Sequence, residues 1–353
     1  MLRERTFFLV LATLIVAGVA VGRFSGSRRE VQPALRVQPR WQTKHARTWQ
    51  ERSFDQPLVI APAAGVRLAR PVSLKVDRSG DVLVLDWSDA SVRRFSPSGQ
   101  PGVSYHLPPG TPGGNPEDFD VDAGGNVWIC YHDAGTVASF EPGGKLLATW
   151  HFARNPHRIM SAGSAGSAGN DGLVIFAADA GRDLFARYSP RGELAGGFGR
   201  LLAGDSQDLL ALDGDVARDG AGGFVYAAAH TGLLASYSLN GEPRFLVRTI
   251  DPVALPKIVA TAGGSRKIAP GSPFAALTVS VSGGLIHVLA DLPSRKGGSS
   301  RAFDVYDDRD GGYLYSFHAP EQTAFALVAG DRLYTIRDDV VTRWRMLGPG
   351  SPG

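Results

Sequence analysis

Apolar residues in this chain gather in runs of four to six, and each run is closed by a cluster of Gly, Pro, Asn, Asp or Ser. Val82 to Leu85, Val127 to Tyr131, Leu173 to Ala177, Phe224 to Ala228 and Leu285 to Leu289 are too short for helices and rich in β-branched and aromatic residues, so they read as buried strands. Ahead of them lie strands in which polar and apolar positions alternate. The clearest are Ser73-Leu-Lys-Val-Asp77-Arg-Ser-Gly80 and Asp118-Phe-Asp-Val-Asp122-Ala-Gly-Gly125. Behind them comes a third strand, ending on an aromatic residue and a glycine turn. The copies of that turn are Phe95-Ser-Pro-Ser-Gly99, Phe140-Glu-Pro-Gly-Gly144, Tyr188-Ser-Pro-Arg-Gly192 and Tyr237-Ser-Leu-Asn-Gly241, with a looser Tyr306-Asp-Asp-Arg-Asp-Gly311.

The aromatic anchors fall at 95, 140, 188, 237, 306 and, in a degenerate form, Trp344, with steps of 45, 48, 49, 69 and 38 residues. Four-stranded units of this length match propeller blades. One such sheet cannot bury both faces alone, whereas a ring of sheets packed face to face can. The last unit has three strands, Ala324 to Val328, Leu333 to Ile336 and Val340 to Met346, and then ends in a Gly- and Pro-rich tail. An orphan apolar segment, Pro57-Leu-Val-Ile-Ala61, stands just before the first inner strand and can supply the missing fourth. The expected fold is therefore all-β: a six-bladed β-propeller of four-stranded blades over residues 57–347, its last blade closed by an N-terminal strand, with a flexible tail at 348–353.

The stretch Ala69-Arg-Pro71-Val-Ser-Leu-Lys-Val-Asp77-Arg-Ser-Gly80-Asp-Val-Leu-Val-Leu-Asp86, continuing to Val92-Arg-Arg-Phe95-Ser-Pro-Ser-Gly99, resembles an NHL repeat, and the second unit is similar. The resemblance covers the first two blades well and the next two by pattern. It implies a propeller fold, which serves binding proteins and enzymes alike.

Composition agrees with many short elements joined by tight turns: 44 Gly and 23 Pro in 353 residues, 43% of them hydrophobic. The net charge of +3 misleads, because residues 1 to 55 hold ten Lys and Arg against four Asp and Glu and the remainder holds 27 against 30. A slightly acidic domain has no broad positive field for phosphates, which argues against nucleic acid as a partner. The only cysteine, Cys130, lies in an apolar run and reads as a small core residue.

Arg3 and Arg5 precede an apolar stretch from Phe7 to Gly22, so residues 1–22 read as a signal anchor or a signal peptide. The expected location is membrane-anchored with the propeller extracytoplasmic, or secreted if the segment is cleaved. Against this stand Arg23, Arg28, Arg29, Arg36 and Arg40, which carry more positive charge behind the stretch than lies before it. Residues 23–56 read as a basic flexible linker.

Turns between second and third strands share a face with the connections between blades. This top face gathers Arg70, Asp86, Trp87 and Asp89 from the first unit, Glu117, Asp118, His132 and Asp133 from the second, His157, Arg158 and Arg182 from the third, and His230 from the fourth. Aspartates there can serve as turn residues that bond their own backbone, or as ligand contacts. Together with the basic segments Arg266-Lys267 and Arg295-Lys296, the face suits an unknown protein or a small acidic ligand, with no cofactor expected. The alternative is a metal-dependent lyase or hydrolase whose divalent ion is held by His132, His157 and His230, a triad that loosely resembles the zinc site of peptidylglycine lyase propellers.

Overall fold

The computed structural model describes residues 30–31, 34–62, 65–111, 113–152, 155–161, 173–176, 183–189, 191–203, 209–251, 253–261, 265–294 and 298–348. The apolar stretch at 7–22, Arg182, Arg295 and Lys296 lie outside them. The fold is an all-β propeller, with one short 3₁₀ turn at Leu209–Leu212 among the described residues. Six four-stranded antiparallel sheets and one small three-stranded sheet make up the described structure.

In the first sheet the strands Pro71–Val76, Val82–Asp86, Ser91–Phe95 and Pro101–Tyr105 pair in chain order. Every residue of Val82–Asp86 is buried, as is every residue of Gly223–Ala228 in the fourth sheet. Both faces of such a strand are covered by neighbouring sheets, which is why its sequence is a continuous apolar run without period two. The peripheral strand Leu146–His151 alternates half-buried and exposed positions instead.

The aromatic-and-glycine turn has two jobs. Gly99, Gly144, Gly192 and Gly241 have φ between +79° and +92°, and each donates its N–H to the carbonyl three residues earlier at 2.9 Å. The turn also lies against the peripheral strand of the preceding sheet. A Cβ on Gly241 would stand 2.6 Å from Phe198, and one on Gly144 would stand 2.7 Å from Val103. At Gly99 the same role is taken by the backbone of Val59 and Ile60, 3.3 Å away. The N-terminal strand Leu58–Ala61 thus sits where the peripheral strand of a preceding sheet belongs.

It does so by pairing with Val340–Arg345, with Leu58 opposite Arg343 and Ala61 opposite Val341. Ile60 and Ala61 are fully buried among Leu74, Val84 and Phe95 of the first sheet and Tyr334, Ile336 and Val341 of the sixth. Cys130 is buried and free, as a core residue should be.

Residues 34–56 correct the expectation of a free linker, since they run along the rim of the last sheets as a strap. Arg36 N–H donates to Leu201 O at 2.7 Å, Arg248 N–H to Arg40 O at 2.8 Å, Ser316 N–H to Thr48 O at 2.8 Å, and Asp55 N–H to Arg345 O at 3.0 Å. Gln42 is buried, and its amide donates to Arg248 O at 2.5 Å and Gly311 O at 3.0 Å and accepts from Tyr313 N–H at 2.9 Å. Arg47 forms ion pairs with Asp304 at 2.8 Å and with Asp251. The strap covers backbone groups that the edges of the fourth and fifth sheets would otherwise leave open. Single anchors at irregular spacing leave no periodicity in the sequence, so the segment looks like a linker.

Upstream of the strap, Glu30–Val31 pairs with Ile258–Ala260, which pairs in turn with Arg266–Ile268. The long connection between the fourth and fifth sheets is therefore a hairpin that holds the incoming chain.

Candidate binding site at the mouth of the axial channel

The inner strands Pro71–Val76, Pro116–Val121, Arg158–Ser161, Gly214–Arg218, Thr278–Ser282 and Phe325–Ala329 line an axial channel. Every second residue of a strand faces the same way, so alternation puts Ser73 and Lys75, Asp118 and Asp120, and Thr278, Ser280 and Ser282 on the channel side. Neighbouring inner strands are tied by side chains that accept main-chain N–H groups. Asp118 accepts from Ile159 at 3.1 Å, Asp120 from Ser161 at 2.9 Å, Asp215 from Val279 at 2.9 Å and Ser280 from Val328 at 3.1 Å.

The upper mouth is a cavity of about 270 Å³ bordered by Arg70, Trp87, Glu117, Asp118, Arg158 and Asp215. Arg158 is half-buried among carboxylates, with Nε 3.7 Å from Asp215 Oδ1 and Nη1 3.9 Å from Glu117 Oε1. Burial works to lower its pKa, but Asp213, Asp118, Asp215 and Glu117 outweigh that and raise it. Glu117 is pushed up by burial, against the pull of Arg158 and His132. Asp215 is pushed up by burial, against Arg158 and the Val279 N–H. At the rim, the Arg70 guanidinium lies 4.4 Å over the Trp87 ring. Arg70 is exposed and makes no ion pair among the described residues.

The lower part of the channel is a cavity of about 410 Å³ with Lys75, Asp120, Arg218, Ser280, Met160 and Leu327 in its wall. Arg218 Nη2 donates to Asp120 Oδ2 at 2.8 Å, and Lys75 Nζ lies 3.5 Å from Asp120 Oδ1. Burial would raise the Asp120 pKa, but Arg218 and Lys75 hold it below the ordinary range. Burial would lower Lys75, and Asp118, Asp120 and Asp215 raise it instead.

Of the residues expected from sequence, Arg70, Trp87, Glu117, Asp118 and Arg158 meet at one mouth. Asp86 is a turn residue: fully buried, it accepts from Ala69 N–H at 2.6 Å and Arg70 N–H at 3.0 Å, and so shapes the segment that carries Arg70. Asp89 is taken up by Arg93, whose hydrogen bond holds its pKa down, and borders a different cavity. Asp133 is exposed. The rings of His132 and His157 lie 4.0 Å apart, whereas His230 packs on Phe274 at 4.2 Å and has Nδ1 3.0 Å from Pro273 O. The structure does not assemble the three histidines, and among the described residues no group of three His, Cys, Asp or Glu is placed to hold a metal ion. Lys75, Asp120, Asp215 and Arg218 were missed as channel residues. The signal for the first two was present, because Lys75 and Asp120 stand at alternate positions of strands already recognised as inner.

No protein-family model matches the chain, and no curated protein matches it. Solved structures do. A member of the DUF4221 family from Bacteroides vulgatus is similar over 84% of this chain and 98% of its own, with a TM-score of 0.58 at 10% identity. A streptogramin B lyase is similar over 83% and 98%, with a TM-score of 0.54 at 8% identity. The virginiamycin B lyase from Staphylococcus aureus is similar over 84% and 100%, with a TM-score of 0.51 at 11% identity. At such identities the likeness is one of fold.

Proposed function

We propose that this chain is a binding propeller, its six four-stranded sheets forming the blades of one ring, tethered outside the cytoplasm by residues 7–22 and taking a carboxylate-bearing ligand at the upper channel mouth. The observation that carries the binding reading is the Arg70 guanidinium, stacked 4.4 Å over Trp87 at the rim of a cavity. Arg158 below it is surrounded by carboxylates, but Arg70 has no ion pair among the described residues. A ligand carboxylate can take the guanidinium edge while its apolar part lies beside the indole. The basic leader and apolar run of the first 22 residues support the tether.

The test of binding is a thermal-shift screen of the full chain against small mono- and dicarboxylates and acidic peptides, repeated with R70Q and W87A. A stabilisation lost in both variants supports the site, and one retained in both overturns it. Topology is tested by a phosphatase fused after Gly353, which should be active.

A second reading, an enzyme at the same mouth, draws on the adjacent His132 and His157 and on the raised Glu117, a set able to exchange protons. Its metal-dependent form needs His230, whose ring is held elsewhere by Phe274. Metal analysis of the purified protein tests it: stoichiometric zinc that is lost in H132A and H157A would make this reading the better one.

A further inference from the structure

The strap carries an unusual outward face. From Val31 to Gln50 the sequence contains no Asp or Glu, but it holds Arg36, Arg40, Lys44 and Arg47 together with Trp41 and Trp49. Backbone bonds to Leu201, Leu246, Arg248 and Ser316 fix this segment on the rim, so its outward side chains form a surface. Val37 is 47% exposed, Trp41 61% and Trp49 47%, three of the seven exposed large hydrophobic residues of the described structure within thirteen positions. Trp41 lies against Arg248 at 5.5 Å, and Trp49 stacks on His318 at 4.2 Å, so both indoles are held with part of the ring uncovered.

The cations are not equivalent. Arg47 is spent on Asp304 and Asp251, and Arg40 lies 3.6 Å from Asp310. Arg36 and Lys44 are exposed and make no ion pair among the described residues. The face therefore combines uncompensated basic charge with partly covered indoles, the side chains that favour the boundary between a bilayer and water.

The length of chain outside the strap decides between occupants. Gly22, the last residue of the apolar stretch, is twelve residues before Ala34. At about 3.5 Å per residue, even a fully extended connection keeps the start of the strap within about 40 Å of the end of that stretch. We infer that the strap, through Val37, Trp41, Trp49, Arg36 and Lys44, docks the propeller rim on an anionic phospholipid surface. The inference rests on the reading of residues 7–22 as a membrane tether, and the surface it names is the one in which that tether would lie.

The test uses the full chain reconstituted in vesicles of phosphatidylcholine with or without phosphatidylglycerol, some prepared with brominated acyl chains. Flotation in high salt reads the tether. Bromine quenching of tryptophan emission reads the docking, with W41F and W49F assigning the signal. The inference expects flotation in both lipids, quenching that is stronger with phosphatidylglycerol and diminished in W41F and W49F, and a loss of the anionic enhancement in R36Q/K44Q while flotation persists. Protein that floats but shows no quenching attributable to Trp41 or Trp49 overturns the docking and leaves the tether standing. If the chain fails to float in high salt, the tether falls. In that case binding to phosphatidylglycerol vesicles at low salt, weakened about tenfold or more in R36Q/K44Q, would still support the docking. The absence of such binding would overturn it as well.

Discussion

Asp120 Oδ2 accepts the main-chain N–H of Ser161 at 2.9 Å, which ties the inner strand of the second sheet to that of the third. The same oxygen accepts Arg218 Nη2 from the fourth sheet at 2.8 Å, and Lys75 of the first sheet approaches the other oxygen to 3.5 Å. One buried carboxylate therefore joins four sheets across the channel. Asp120→Ala should destabilise the protein by about 3–5 kcal/mol, because it removes the carboxylate that compensates Lys75 and Arg218 and leaves the Ser161 N–H without its acceptor, although Arg218 keeps its bonds to Ser161 O and Oγ. Asp120→Asn keeps one acceptor and should cost less. Urea unfolding of the two variants measures both, and an unchanged midpoint for the alanine variant would sink the assignment. The pKa of Asp120 is held below its ordinary value, so this contribution is present above the unfolded carboxylate range and is lost as pH falls through the lowered folded value.

Gln42 places one side-chain amide on three main-chain groups, Arg248 O, Gly311 O and Tyr313 N, and so fastens the strap to the fourth and fifth sheets at once. Gln42→Ala should lose about 2–4 kcal/mol, since buried main-chain groups would be left unpaired. Limited proteolysis should then cut between residues 36 and 47 far faster than in the parent protein. Equal cleavage rates would mean that the flanking backbone pairs hold the strap unaided.

The fold was legible because the strands between neighbouring sheets announce themselves: Val82 to Leu85 and Gly223–Ala228 are runs without a charged residue, and the turns at Gly99 and Gly241 need both a positive φ and room against the preceding sheet. The closing strand Leu58–Ala61 was legible as an apolar run without a partner. The strap was not, because Gln42 and Arg47 act singly and at distances of more than two hundred residues along the chain. The upper mouth was legible in part. Arg70, Trp87, Glu117 and Arg158 are polar or aromatic residues at or just beyond strand ends, on the face where the connections between sheets gather. Which polar residues are consumed by structure was hidden: Asp86 serves its own turn, and His230 serves Phe274 and Pro273. Both roles depend on contacts that only the folded ring creates.

Glu117, like Asp215, is a carboxylate at the mouth whose ionised form the fold tolerates poorly. Burial raises its pKa, with Arg158 and His132 opposing. A carboxyl group raised in the folded state contributes stability that is present below its unfolded value, about 4.3, and that is lost as pH rises through the folded value. Glu117→Gln cannot ionise, so it should be at least as stable as the parent at neutral pH and should converge with it in acid. Thermal melts across the acid range compare the two. A variant that is less stable at neutral pH would show that the contact with Arg158 outweighs the burial of the carboxylate.

His287 gives the opposite slope in a neighbouring pH window. It lies buried in the fifth sheet, where burial first and the Arg52 charge second lower its pKa from 6.5 to about 4. The folded protein therefore keeps the imidazole neutral where the unfolded chain has already taken up a proton, and acidification favours unfolding. The stability concerned is fully present above pH 6.5 and disappears as pH falls through about 4, a loss on the order of 3 kcal/mol. His287→Leu removes the proton site while keeping an apolar group beside Phe317, whose ring lies 6.5 Å away. The variant should stay within about 1 kcal/mol of the parent above pH 7 and exceed it by about 2 kcal/mol near pH 4.5. The difference between the two unfolding curves isolates this histidine, because Asp120, Glu117 and Asp215 titrate in both proteins. Parallel curves from pH 7 to pH 4.5 would show that His287 is protonated inside the fold, which the burial of its ring opposes.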